Sequence, residues 1–292
     1  MTVRIIPRLD IKGPNLVKGI HLEGLRVLGP FERFARLYYE QGADELIYND
    51  IVASLYGRNS ILEMVERTAR EIFVPLTVSG GIRSLDDIRT ALRAGADKVS
   101  LNTAAIARPE LISEAARRFG SSTIVVTIEA LRLPDGTWEA LTDCGRQKTG
   151  VNAVEWAVRA AELGAGELLL TSIDREGTGK GFDLELTRKI ADLVPIPVIA
   201  SGGAGRCEHV SDVITEGHAD AVALAGILHY DALTRGARES AIDHSREGNV
   251  AFLKSGARSS AKLEPASLQA VKRQVLDKGL SCRPIVTEAA SG

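Results

Sequence analysis

Two carboxylates stand where chemistry could be done. Asp10 closes the run Pro7-Arg8-Leu9-Asp10, and Glu129 closes Val125-Val126-Thr127-Ile128-Glu129. Acids in different surroundings can divide general-acid and general-base duty between them. Each alone could equally cap a loop, or pair with Lys12 or Arg132. Two glycine turns offer a second kind of chemistry, Ser79-Gly80-Gly81 and Ser201-Gly202-Gly203. Both end an apolar run and open towards a helical pattern. Glycine lets the backbone approach an oxyanion closely, and the amides at a helix start present unpaired donors to it. Gly81 would share its anion with Asn102 and Thr103. Gly202 and Gly203 would share theirs with Gly177, Ala225 and Gly226. One such pair would be weak evidence, because tight turns need glycine anyway. Two pairs imply two phosphates on opposite sides of one mouth.

A charged set lies at the other end of the same runs. Arg4, Glu45, Lys98 and Glu167 each start a strand-like segment, so opposite charges at one level could form a ring of ion pairs, although charges at strand starts are commonly just solvated. The five histidines, His21, His209, His218, His229 and His244, show no metal-ligand spacing. No metal site and no cofactor is expected. Cys144, Cys207 and Cys282 form no CxxC pair and suit a reducing compartment. Trp138 and Trp156 read as loop and helix packing.

The elements that must position these groups alternate. Short β-branched runs are expected as strands at Arg4–Leu9, Glu45–Asn49, Leu76–Ser79, Lys98–Leu101, Thr123–Ile128, Glu167–Thr171, Val198–Ala200 and Ala221–Leu224. Between them lie amphipathic stretches such as Leu85-Asp86-Asp87-Ile88-Arg89-Thr90-Ala91-Leu92. Gly42-Ala43-Asp44, Gly95-Ala96-Asp97 and Gly164-Ala165-Gly166 end helices with a left-handed glycine just before a strand. Eight strands with intervening helices predict an α/β fold, the (β/α)8 TIM barrel. In that fold the ends of the strands at one face carry the catalytic groups. Val74–Gly81 is echoed by Ile196–Gly203, and Gly42-Ala43 by Gly164-Ala165, each 122 positions later. That single offset indicates two half-barrels, about 1–120 and 121–232.

The 292 residues, 45% hydrophobic, suffice for a single barrel domain. The stretch 233–262 is polar and is expected to be an inserted, mobile loop, with the lid of the site as the alternative. Residues 263–292 are expected to supply a closing helix and tail, with the helix over Pro265–Lys278 and proline at its start. A formal net charge of −2 and no basic tract argue against nucleic acid. No window approaches a membrane span, so a cytoplasmic protein is expected.

The chain resembles the cyclase subunit family (HisF type) of imidazole glycerol phosphate synthase. The likeness runs from Arg4-Ile5-Ile6-Pro7-Arg8-Leu9-Asp10 to about His229 and resumes near Pro265–Arg283. It rests on Leu16-Val17-Lys18-Gly19, Gly95–Thr103, Thr171–Thr178 and Ala200–Gly205. The resemblance implies an ammonia-dependent cyclase-lyase acting on a bis-phosphorylated phosphoribulosyl aminoimidazole ribonucleotide in histidine biosynthesis. Its products would be imidazole glycerol phosphate and an aminoimidazole carboxamide ribonucleotide. It implies Asp10 and Glu129 as catalytic residues and adds Lys18, Thr171 and Glu176 to the substrate site. It also implies a HisH-like glutaminase partner on the N-terminal face, with Arg4, Glu45, Lys98 and Glu167 as the ammonia gate.

Five departures, one of them the extra stretch 233–262, suggest a paralogue. Glu129, and usually Glu176, replace an aspartate of the family. Arg8 stands where a cysteine is common, and Gly226 where a hydroxyl residue often helps to hold phosphate. A non-cyclising relative that channels ammonia from a glutaminase to sugar amidation is the alternative function. Another phosphosugar isomerase of the same barrel type is a third, for which the charged gate would have no purpose.

Overall fold

A computed structural model describes residues 2–21, 23–53, 62–234 and 263–284. Twelve strands follow in chain order. β1 (Arg4–Lys12) leads into a hairpin of β2 (Asn15–Ile20) and β3 (Glu23–Pro30). β4 (Leu46–Asp50), β5 (Leu76–Ser79) and β6 (Lys98–Leu101) come next. β7 (Ile124–Arg132) carries a second hairpin of β8 (Trp138–Thr142) and β9 (Gln147–Asn152). β10 (Glu167–Ser172), β11 (Val198–Ser201) and β12 (Ala221–Leu224) complete the set.

Eight of these strands close on themselves. β1, β4, β5, β6, β7, β10, β11 and β12 pair in parallel, and β12 returns to β1 with Arg4 opposite Ala221. This is the (β/α)8 barrel that the alternation predicts. Strand residues alternate between two apolar environments, as the period of two requires. On β1, Ile5, Leu9 and Ile11 pack outward under the helices. Ile6 points to the axis with Ile47, Val125, Leu169, Ile199, Ala221 and Ala223.

The helices form for reasons legible in their first residues. Ser84, Asn152 and Asp183 each accept a backbone N–H one turn into the helices Leu85–Arg93, Ala153–Glu162 and Leu184–Ala191. The helix Phe31–Glu40 buries Phe34, Ala35 and Tyr38 at helical spacing. The closing helix spans Leu268–Asp277 and is capped by the Ser267 side chain, which accepts from Ala270 N. Pro265 therefore lies ahead of the helix, not at its first position: the serine hydroxyl supplies a cap that proline lacks. Lys272 of this helix is fully buried, donating to Gly42 O at 2.7 Å and Asp44 Oδ1 at 2.6 Å.

β1 and β7 run past the expected ends, Leu9 and Ile128, into hairpins that the strand count had not included. The two hairpins occupy equivalent places, after the first strand of each half, and both rise over the face where the strands end. Of the expected insertion, Leu233 and Thr234 end the helix Gly226–Thr234; 235–262 and the tail 285–292 lie outside the described residues. Among the described residues, no helix is long and apolar enough to cross a membrane.

Candidate active site

β1 and β7 stand four strands apart around an eight-strand ring, so their ends face each other across the mouth. Asp10 and Glu129 are both buried there, and both line one small cleft with Arg8 and Asn49. Arg132 pairs with Glu185 and not with Glu129. Asp10 Oδ1 accepts from Arg8 Nε at 3.1 Å and from Asn49 Nδ2 at 2.8 Å. Glu129 Oε2 accepts from Asn102 Nδ2 at 3.0 Å and from Gly145 N at 2.9 Å.

These surroundings drive the two acids apart. Burial alone would raise the Asp10 carboxyl, but the Arg8 guanidinium, then Lys18 and the Asn49 amide, hold it below the usual carboxylate range. At Glu129 burial prevails over Arg8 and the Gly145 N–H, with the Asp10 charge adding to the rise, and the carboxyl is pushed up to about 7. One acid is thus kept ionised while the other can hold a proton near neutrality.

Two larger cavities flank the acids. One, of about 440 Å³, is lined by Gly80, Gly81, Asn102, Thr103 and Glu129. The other, of about 300 Å³, is lined by Lys18, Glu176, Gly177, Gly202, Gly203, Ala225 and Gly226. Each expected anion site is therefore brought together from separate βα turns. The glycines are also required by the backbone: a Cβ on Gly203, at φ +106°, would sit 2.1 Å from Gly181 O. At Asn102 one hydrogen of the side-chain amide goes to Glu129, and the residue lines the cavity beside Gly81. Lys18 Nζ ion-pairs with Glu176 and donates to Gly19 O at 3.0 Å. Thr171 is fully buried and lines neither cavity; its hydroxyl accepts from Arg8 Nη1 at 3.2 Å, supporting the floor from beneath.

Arg8, which the sequence presents only as a departure from the family pattern, has a central place in the site. Its guanidinium lies in the floor between the acids, bonded to Asp10, Thr171 and Ser201 Oγ (3.3 Å), and it lines all three openings. Its place two residues before Asp10, on the same strand face, was the available signal. Behind it His229 accepts no charge: burial, then Lys18, pushes its imidazole down to about 3, and its ring bridges Tyr38 Oη and Arg8 O. Nearby Cys144 is kept as a thiol, since burial and then Glu129 push it up to about 12.

At the opposite end the charged ring is complete. Arg4 Nη1 donates to Glu45 at 2.6 Å and Glu167 at 2.8 Å, and Lys98 Nζ reaches the same two carboxylates at 3.0 and 3.1 Å. Between ring and mouth lies the axial apolar layer that includes Ile6, Ile47, Val125, Leu169 and Ile199.

A closed parallel barrel with opposed acids between two glycine-lined cavities, and an ion ring at its far end, defines a (β/α)8 barrel with a single acid-bearing mouth. The chain belongs to the histidine biosynthesis protein family, whose model matches residues 4–234. Among curated relatives it is similar to an imidazole glycerol phosphate synthase subunit HisF from Legionella pneumophila. The two are 61% identical over 206 residues, which cover 70% of this chain and 97% of the relative.

Proposed function

We propose that the chain is the ammonia-dependent cyclase-lyase of histidine biosynthesis, the activity of an imidazole glycerol phosphate synthase cyclase subunit. The observation that carries this reading is the split pair: an ionised Asp10 and a protonatable Glu129 in one cleft between two anion-sized cavities. The substrate is a bis-phosphorylated phosphoribulosyl aminoimidazole ribonucleotide, one phosphate at Gly81, Asn102 and Thr103, the other at Gly177, Gly202, Gly203, Ala225 and Gly226. Lys18 offers its charge to the second, and Glu176 orients Lys18.

Ammonia addition, water loss and C–N cleavage each need a proton given or taken. Glu129 gives protons to departing oxygen and nitrogen, and Asp10 takes them from the attacking nitrogen. Ammonia comes from a HisH-like glutaminase partner on the N-terminal face. Supporting that face, the exposed large apolar side chains among the described residues, Phe73, Leu193 and Leu276, lie near strand starts or at the end of the closing helix. The gate is the ring of Arg4, Glu45, Lys98 and Glu167.

The test is direct. Purified chain, the bis-phosphorylated substrate and a high concentration of ammonium salt at alkaline pH should yield imidazole glycerol phosphate. If substrate binds and no product forms, the chain is instead a non-cyclising ammonia-channelling partner.

A further inference from the structure

Arg8 is a buried cation with more donors than its neighbours use. Its Nε and Nη1 hydrogens go to Asp10, Thr171 and Ser201. Among the described residues Nη2 has no partner, nor does it number among the sealed, unpartnered buried atoms, so it opens onto the cavities that Arg8 lines. One edge of the planar fork is clamped and the other is presented to whatever lies between the two cavities. A desolvated, preoriented donor pair of this kind is strongest towards an oxygen on which negative charge develops.

We propose that Arg8 is a third catalytic residue, whose Nη2 edge binds and polarises the substrate carbonyl oxygen to which ammonia adds. The assignment rests on the cyclase reading above. In the step it serves, the nitrogen lone pair forms the new C–N bond and the C=O π pair moves onto oxygen beside Arg8. Glu129 protonates that oxygen, and Asp10 removes a proton from the attacking nitrogen. The product is a neutral carbinolamine, with no atom or electron left over. Loss of its hydroxyl as water follows. The clamp on Asp10, Thr171 and Ser201 fixes the fork before substrate arrives, so no reorientation is needed as charge builds.

The experiment compares the full-length chain with Arg8→Met, Arg8→Lys and Arg8→Gly in the ammonium-driven assay. Arg8→Met should lose on the order of 10²–10³-fold in kcat, the loss seen when an oxyanion donor is removed, while KM for the substrate changes only a few-fold. Arg8→Lys should recover part of the rate, and guanidinium added to Arg8→Gly should restore turnover in a saturable way. Infrared difference spectra of substrate labelled at the carbonyl carbon should show the stretch moved to lower wavenumber on the wild-type chain and unmoved on Arg8→Met. The infrared band keeps the test decisive if a variant folds poorly, because its wild-type position alone can refute the contact. A wild-type band at the solution position, or kcat of folded Arg8→Met within a few-fold of wild type, overturns the assignment while leaving the cyclase reading intact. Absence of wild-type turnover overturns both.

Discussion

At the residue scale, the two acids differ because of what touches them, not because one is aspartate and the other glutamate. Glu129→Gln should abolish ammonium-driven cyclisation with substrate affinity nearly unchanged; activity retained within a few-fold would remove Glu129 from the acid–base step. The same residue sets a pH dependence of stability. Its folded-state value, about 7, lies above the ordinary 4.5. The folded chain therefore holds a proton that the unfolded chain has lost, and stability falls as pH rises from 4.5 to 7, then levels. Glu129→Gln should flatten that fall, and urea unfolding at pH 5 and pH 8 would measure it. Both acids were visible in the sequence as strand-end carboxylates. The part played by Arg8 was legible only as far as its strand face, shared with Asp10; its hydroxyl partners, Thr171 and Ser201, lie on strands far along the chain.

At the element scale, the eight barrel strands were legible from period and punctuation; β4, β6 and β10, for instance, each follow a left-handed glycine, Gly42, Gly95 and Gly164. The hairpins were not, although Pro134-Asp135-Gly136 is a strong turn signal and Gly136 takes φ +85°. β8 and β9 look like loop in a βα alternation because they interrupt it; only the antiparallel ladders, Glu129 opposite Leu141 and Thr142 opposite Gln147, reveal them. That pairing matters to the site, since the turn after β8 delivers the Gly145 N–H to Glu129. The closing helix is tied in by a different device. Asp44 accepts from Lys272 Nζ and from Ile5 N, so it joins the last helix to β1. Lys272→Met would leave the Asp44 charge buried without its cation. It should lower the unfolding free energy by about 3–5 kcal/mol, and adding Asp44→Asn should recover part of the loss. Chemical denaturation of the single and double variants measures both.

At the scale of the whole molecule, the acid pair and the ion ring occupy opposite ends of one closed sheet. The repeat offset of 122 positions predicts a different relation, equivalent turns half a barrel apart around one mouth. Lys98→Met should lower the glutamine-driven rate of the assembled pair more than the rate driven by added ammonium salt. Equal losses in the two assays would deny the ring any part in delivery. The axial apolar layer carries a last consequence. A solute crossing from ring to mouth exchanges water for hydrocarbon walls, at a prohibitive cost for an isolated charge and a modest one for a small neutral molecule. On the proposed ammonia route this layer would act as a sieve for ionisation state, admitting the base and turning back its conjugate acid.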